Sequence, residues 1–185
     1  MTAKPCFLNI LIFFFALLPQ DPSLAVDQIQ DAYSYEGNLL ENGGFEAGLV
    51  LPWGTGKSSQ NRPIWWNSSS CQSKITISTK AFKEGKQSLR INNPSPRAPD
   101  VFGTVAQSIS IKANKRYRLV AWAGSKDVAS AGAFSIVVDS AWKIRPISLP
   151  AGSVPWTQYD ATFSLPTNVA DIRILSEDKG FVWFD

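Results

Sequence analysis

Seven tryptophans and no histidine define the chemistry open to this sequence of 185 residues. Without histidine, neither a serine–histidine–acid triad nor a cysteine–histidine pair can form, and histidine-ligated zinc sites are excluded. The chemistries that remain are a pair of carboxylates, as in glycoside hydrolysis, a tyrosine or lysine base, and calcium binding through oxygen ligands.

Three glutamates are candidates for a catalytic carboxylate pair: Glu46, Glu84 and Glu177. All three lie in predicted turns or loops, whereas paired catalytic glutamates are expected to project from the middle of strands on one concave face. The sequence therefore predicts a domain that is not an enzyme by itself. A small glycoside hydrolase is the alternative.

Tryptophan side chains are the strongest candidates for binding. Sugar rings present apolar C–H faces, which flat aromatic side chains flanked by amides and carboxylates can bind. Trp65 and Trp66 are adjacent, so in an extended strand one points inward and the other outward. Trp142 follows Asp139 near a predicted hairpin end. For each of them, a purely structural role is the alternative.

A second pair of candidates lies on one predicted strand. If Leu119 and its alternate neighbours form the core face, then Arg118, Val120 and Trp122 face the other way. Arg118 and Trp122 together suit a sugar-binding face, with a second buried layer as the alternative. The remaining tryptophans are assigned to the core or to a structural role: Trp53, Trp156 and Trp183.

Short apolar-alternating segments must position these side chains. They are separated by Gly, Pro, Asn and Ser, and no segment has a sustained helical period. This pattern predicts an all-β fold, an antiparallel β-sandwich of about nine or ten strands. The predicted strands cover residues 74–78, 87–91, 105–111, 117–123, 134–138, 144–149, 156–165, 172–175 and 181–184, with long loops at 54–63 and 92–99.

Residues 1–25 have the pattern of a signal peptide. Lys4 precedes an apolar segment at 7–18, and Ser23-Leu24-Ala25 fits a cleavage site. A short membrane anchor is the alternative, although the segment is too short to span a bilayer. The expected organisation is a signal peptide, a lead-in segment at 26–37 and a binding domain at 38–185, in a secreted, periplasmic or cell-surface protein.

Cleavage after residue 25 would remove Cys6 and leave Cys71 alone, so no disulfide is expected within the domain. It would also remove Lys4 and Asp21, which leaves 17 basic against 14 acidic residues, a balance of +3. That charge is too mild and too scattered to indicate nucleic acid as a partner.

Five segments, taken in order, carry a resemblance to a known family. The first is Asn-Leu-Leu-Glu-Asn-Gly-Gly-Phe-Glu-Ala-Gly at 38–48, followed by Pro52-Trp53. The others lie at 81–89, at 107–111 with 117–123, at 156–166 and at 180–185. Together they resemble the carbohydrate-binding module superfamily of families four, nine and twenty-two, which are galactose-binding-like jelly rolls. The resemblance covers nearly the whole chain after the predicted signal peptide.

The resemblance implies a structural calcium ion. Glu46 and Asp185 would be its side-chain ligands, and backbone carbonyls near Gly85 and Ser88 would complete the shell. Such an ion would join the N-terminal turn to the closing strand in place of a disulfide. The alternative is that Glu46 caps a turn and Asp185 is solvated.

The function that the resemblance implies is non-catalytic docking on a polysaccharide or glycan by a secreted, monomeric module. The sequence ends within a predicted strand, so we expect a longer reading frame, with a glycoside hydrolase as the attached enzyme. The alternatives are a small jelly-roll glycoside hydrolase and a structural or adhesive domain without a sugar site. Asn67-Ser68-Ser69 also fits a glycosylation sequon, relevant only in a eukaryotic host.

Overall fold

The computed structural model describes residues 37–54 and 65–185. In these residues it contains ten strands and no helix. The strands are β1 (Trp65–Asn67), β2 (Lys74–Ser78), β3 (Ser88–Asn93), β4 (Gly103–Ser110), β5 (Arg116–Val128), β6 (Phe134–Val137), β7 (Ile147–Ser148), β8 (Gly152–Ser164), β9 (Val169–Ser176) and β10 (Gly180–Phe184). The predicted signal peptide, nearly all of the lead-in segment and most of the loop at 54–63 lie outside the described residues.

Two five-stranded antiparallel sheets form a sandwich. The first sheet has the order β1-β4-β9-β6-β7, and the second has the order β2-β3-β10-β5-β8. Strands that are distant in sequence are therefore neighbours, as when β10 pairs with both β3 and β5. The predicted all-β antiparallel sandwich and its number of strands are confirmed.

Alternation along the strands divides their side chains between the core and the outer faces. On β5, Leu119 and Ala123 are buried in the core, whereas Arg118 is exposed and Trp122 is half-buried. The predicted separation of Arg118 and Trp122 from the core face of this strand is therefore confirmed. The same rule places every second residue of each central strand on an outer face.

The assignment of Trp156 and Trp183 to the core is wrong. On β10 the core positions are taken by Val182 and Phe184, which are 0% and 2% exposed, so Trp183 between them faces outward. On β8 Tyr159 packs against the core, and Trp156 has the opposite phase. Because β10 is apolar on both faces, its sequence does not reveal which phase is buried. On β8 the register with β5 shifts between Val154 and Thr157, which interrupts the alternation beside Trp156.

The N-terminal turn closes one edge of the sandwich. Phe45 is 1% exposed and its ring lies 4.9 Å from that of Trp53, which is itself buried. The indole Nε1 of Trp53 donates a hydrogen bond of 2.9 Å to the carbonyl of Asn42. The side chain of Gln107, on β4, exchanges two hydrogen bonds of 2.8 Å with the backbone of Glu41. These contacts join the turn to the first sheet.

Cys71 is buried, and its thiol forms no disulfide bond with the described residues. In the part of the chain that the structure describes, no helix has the length and apolar character needed to cross a membrane.

Gly180, at the start of β10, has a φ of 149°, and a Cβ there would lie 2.9 Å from the Cα of Val128 and 3.1 Å from the ring of Phe134. Gly180→Ala combines backbone strain with overpacking, so we expect it to lower the free energy of unfolding by about 2–4 kcal/mol. Gly43→Ala is the control, because its nearest neighbour would be 3.8 Å away. Urea denaturation of both variants measures the difference; equal stabilities would contradict the packing described here.

Candidate functional site

The predicted sugar-binding residues lie on two opposite faces of the sandwich. Trp66, on β1, is 43% exposed and pairs with Thr104 on the outer face of the first sheet. Trp142, in the loop between β6 and β7, lies over the same face. Arg118 and Trp122 lie on the outer face of the second sheet. The backbone of Trp65 pairs with Val105, and its side chain lies outside what the structure describes.

An aromatic cluster brings Trp66 and Trp142 together through Phe102. The ring centroids of Trp66 and Phe102 are 5.0 Å apart with an interplanar angle of 61°, and those of Phe102 and Trp142 are 4.7 Å apart at 87°. Edge-to-face contacts of this kind are favourable and hold rings at fixed angles. We refer to Trp66, Phe102 and Trp142 as the aromatic cluster. Phe102 was not predicted, because it follows a proline-rich loop with no periodic pattern.

A cleft of about 490 Å³ opens beside the aromatic cluster. Its volume falls within the range of small-molecule sites, roughly 300–1,000 Å³. Arg145 donates two hydrogen bonds to Glu177 in this cleft. One joins Nη2 to Oε1 at 3.0 Å, and the other joins Nη1 to Oε2. This hydrogen bonding raises the pKa of Arg145. The lining residues are Arg97, Ala98, Asp100, Val101, Phe102, Trp142, Arg145 and Glu177.

Trp142 is held in an unusual backbone conformation. Its φ is 61°, a left-handed value that is an outlier for a bulky residue. Asp139 stabilises the loop, since its Oδ1 accepts hydrogen bonds from the backbone N–H groups of Lys143 (3.0 Å) and Ile144 (2.7 Å). Strained residues of this kind concentrate at binding sites, where the surroundings fix a side chain in position.

Arg173, on β9, supports the aromatic cluster from below. It is 9% exposed, and its guanidinium carbon lies 4.8 Å from the centre of the Trp142 ring. Burial lowers the pKa of this arginine, although Asp171, 3.8 Å away, opposes that effect. Its Nε has no hydrogen-bond partner in the described residues. A buried cation stacked on an indole is a stronger contact than the same pair in water.

On the opposite face, Arg118 and Trp122 each have a partner that the sequence did not reveal. The Nε of Arg118 is 3.0 Å from both carboxylate oxygens of Asp160, and this hydrogen bonding lowers the pKa of Asp160. The Nζ of Lys83 lies 4.5 Å from the centre of the Trp122 ring. The guanidinium of Arg118 and one face of the Trp122 ring are therefore already in contact with protein groups.

The two predicted side-chain calcium ligands converge on one loop, residues 79–87. Oε1 of Glu46 accepts hydrogen bonds from the N–H groups of Lys86 (3.0 Å) and Gln87 (3.3 Å). Oδ2 of Asp185 accepts from the N–H groups of Lys83 (2.6 Å) and Glu84 (2.9 Å). The N-terminal turn and the end of β10 are joined in this way through one loop.

Gly85 leaves room for the Glu46 carboxylate. With a φ of 63°, a Cβ at Gly85 would lie 2.1 Å from Oε1 of Glu46, so no other residue fits without displacing the carboxylate. Ser88 begins β3, and its hydroxyl donates 2.5 Å to the carbonyl of Ala81. Among residues 37–54 and 65–185, no three His, Cys, Asp or Glu side chains form a metal-binding group. Any ion here would need backbone carbonyls as further ligands.

Burial raises the pKa of Asp185 above its ordinary value. The hydrogen bonds from Glu84 and Lys83 act in the opposite direction, and the charges of Glu46 and Glu84 raise the pKa further. The ionised carboxylate is therefore less favourable at this position than it is in water. A bound cation would reverse that balance, because an opposite charge favours the ionised form.

The three glutamates considered for catalysis do not form one site. Glu46 and Glu84 lie at the loop beside the second sheet, whereas Glu177 lines the cleft over the first sheet.

The asparagine of the predicted sequon, Asn67, forms two side-chain hydrogen bonds within the protein. Its Nδ2 donates a hydrogen bond of 2.9 Å to the carbonyl of Ser73, and its Oδ1 accepts one of 3.1 Å from the Ser73 hydroxyl.

Comparisons with known proteins bear on the fold. No protein-family model matches the sequence, and no curated protein matches it. Among solved structures, the carbohydrate-binding module TmCBM61 in complex with β-1,4-galactotriose has a TM-score of 0.54 at 12% identity, covering 80% of this chain and 94% of that one.

Two other structures have similar scores. The K1 cleaved adhesin domain of Lys-gingipain from Porphyromonas gingivalis W83 has a TM-score of 0.54 at 10% identity, covering 77% of this chain and 92% of that one. The enzymatically active domain of bacteriophage CBA120 tailspike protein 4 has a TM-score of 0.52 at 14% identity, covering 79% of this chain and 20% of that one. At these identities the similarity establishes the fold, and it confirms the jelly roll that the resemblance implied.

Asp139→Ala removes the acceptor that orders the Trp142 loop. Because two backbone N–H groups lose their partner, we expect a loss of about 1–2 kcal/mol in stability and a weaker near-ultraviolet circular dichroism signal from Trp142. Asp139→Asn keeps the Oδ1 acceptor and is the matched control. If the alanine variant matched wild type in both measurements, the role assigned to Asp139 would be wrong.

Proposed function

We propose that this domain is a non-catalytic carbohydrate-binding module that holds a glycan in the cleft over its first sheet. The observation that carries the proposal is the aromatic cluster joined to a cleft with charged walls. An indole face binds the apolar C–H face of a sugar, and fixed polar groups beside it select the hydroxyls. The fold shared with a galactotriose-binding module supports this function.

The mechanism follows from groups that are already held in place. Trp142 would stack on a sugar ring, with its position fixed by Asp139 and Arg173. Arg145 and Glu177 hold each other, so a donor and an acceptor face the cleft with little freedom left to lose on binding. Preorganisation of this kind reduces the entropic cost of association.

A glycoside hydrolase remains the competing function, because Asp100 and Glu177 both line the cleft. We favour binding alone, since both oxygens of Glu177 accept hydrogen bonds from Arg145 and the other two candidate glutamates lie elsewhere. Incubation with galactan, xylan and β-glucan should release no reducing sugar. Release of reducing ends would establish an enzyme and overturn the non-catalytic assignment.

Trp142→Ala removes the proposed stacking surface. Loss of a central aromatic contact costs about 1–3 kcal/mol, so the affinity for the best-bound neutral oligosaccharide of a panel that includes β-1,4-galactotriose should fall at least roughly tenfold. Trp183→Ala makes the same chemical change on the opposite face and should leave this affinity unchanged. Isothermal titration measures both variants. Absence of binding by wild type across the panel would favour an adhesive or structural domain.

The setting we propose is secretion as a monomeric module of a longer protein, with an attached glycoside hydrolase. The apolar segment at 7–18 and the small residues at 23–25 support export. N-terminal sequencing of the protein from the culture medium should find a chain that begins near Val26. A chain that retains residues 1–25 would indicate a membrane anchor instead.

We also propose a structural calcium ion held by the carboxylates of Glu46 and Asp185, with backbone carbonyls near Gly85 and Ser88. Two observations support this site. Both side chains converge on one loop, and the charge of Glu46 raises the pKa of Asp185. A bound cation would supply the opposite charge that this pair lacks. The carboxylates already accept backbone N–H bonds, so ion binding would require these bonds to rearrange.

Calcium should raise the melting temperature, and a concentration of 100 times Kd corresponds to about 2.7 kcal/mol of added stability. Glu46→Gln should abolish the shift, whereas Glu41→Gln, an exposed glutamate in the same turn, should retain it. A melting temperature that is the same in chelator and in calcium would contradict the site.

The raised pKa of Asp185 gives this prediction a pH dependence. In chelator, the contribution of Asp185 to stability is fully present below its unfolded pKa and declines as pH rises through the folded pKa. Calcium should remove that decline, because it favours the ionised carboxylate. Melting curves between pH 4 and pH 7, with and without calcium, test the sign; a decline that persists in calcium would contradict it.

A further inference from the structure

The outer face of the second sheet carries a second aromatic surface, separate from the cleft. One row of cross-strand neighbours runs over it, and each adjacent pair is either in register or in contact. In order across the sheet, this row consists of Thr76, Arg90, Trp183, Gly124 and Trp156. We refer to these five residues as the platform row.

Gly124 lies between Trp183 and Trp156 in the platform row, and it leaves room for the Trp156 indole. A Cβ at Gly124 would lie 3.4 Å from Cδ2 of Trp156, so the indole lies directly against the backbone of β5. Trp183 is the register partner of Gly124 on the other side. The two tryptophans project from β10 and β8, strands that are two strand spacings or about 9.6 Å apart, and the Trp156 indole lies over the intervening strand β5. One extended sugar chain can lie across both rings.

A second row beside the platform row supplies positive charge. Its members, Lys74, Asn92, Phe181 and Lys126, are register partners from β2 to β5. The guanidinium of Arg90 reaches toward this row and lies 5.6 Å from the centre of the Phe181 ring. No ion pair of the described residues involves Lys74, Arg90 or Lys126.

The charge on this face is therefore unbalanced. Asp160 is neutralised by Arg118, and Asp185 accepts hydrogen bonds from the loop at 79–87. Asp127, which follows Lys126 on β5, shares hydrogen bonds with Ser153, and neither β2 nor β3 carries a carboxylate beside Lys74 or Arg90. Uncompensated cations at the surface favour an anionic partner.

We propose that this face binds an acidic polysaccharide, whose sugar rings stack on Trp183 and Trp156 while its carboxylates pair with Lys74, Arg90 and Lys126. Thr76, Asn92 and Gln158 add hydroxyl and amide groups that suit sugar hydroxyls. Single-stranded nucleic acid also combines charge with stacking. The saccharide is favoured because these amide and hydroxyl groups flank the indoles.

Polygalacturonate is the probe. Lys74→Gln/Lys126→Gln should weaken its binding about five- to tenfold, because two exposed charge contacts are lost. Lys112→Gln/Lys115→Gln removes the same charge from an exposed turn away from this face and should leave binding nearly unchanged. All four lysines are exposed, so folding is not at risk. Raising the salt concentration should weaken wild-type binding.

Trp183→Ala should also weaken polygalacturonate binding, whereas Trp142→Ala should not. The opposite pattern would place the acidic glycan in the cleft and overturn this second site without affecting the proposed function. Tighter binding of an oligothymidylate than of polygalacturonate would replace the saccharide with nucleic acid. If the lysine variants bind neutral galactan as tightly as wild type does, the cleft proposal stands whatever the fate of this second site. If wild type does not bind polygalacturonate, the inference is overturned.

Discussion

The alternation of side chains along the central strands is the constraint on which this molecule depends. A two-layer sandwich has one interior, so each strand gives only every second residue to the core. Val182 and Phe184 of β10 occupy the interior, and this choice leaves Trp183 on the outer face. The chain has more large aromatic side chains than one interior can use. The surplus is therefore displayed on both outer faces rather than gathered in one place.

The two outer faces differ in what surrounds their aromatic rings. Over the first sheet, Trp142 and Phe102 border an open cleft, in which Arg145 and Glu177 form hydrogen bonds with each other. Over the second sheet, the strands themselves carry the tryptophans, and Lys74, Arg90 and Lys126 form no ion pair with the described residues. A cleft with matched charges suits a neutral ligand, whereas an open face with excess cations suits an anionic one.

The sequence predicted the features that rest on local pattern. The sandwich and the separation of Arg118 and Trp122 from the core follow from alternation. The convergence of Glu46 with Asp185 on one loop follows from the family resemblance. Trp183 was misassigned because both faces of β10 are apolar, and Trp156 because the register of β8 with β5 shifts beside it. The role of Phe102 depends on the fold of a proline-rich loop, and that of Arg173 on a contact between β9 and a distant loop. Neither leaves a periodic signal in the chain.

The loop at residues 79–87 links the proposed calcium site to the outer face of the second sheet. Its backbone N–H groups donate hydrogen bonds to the carboxylates of Glu46 and Asp185, and its Lys83 lies over the ring of Trp122. Asp185 also pairs its backbone with that of Trp122. An ion that holds the two carboxylates against this loop would therefore also hold the side chain of Lys83 over the Trp122 ring. Because Asp185 is bonded both to the backbone of Lys83 and to that of Trp122, the position of the Lys83 side chain over the indole depends on the contacts that hold Asp185.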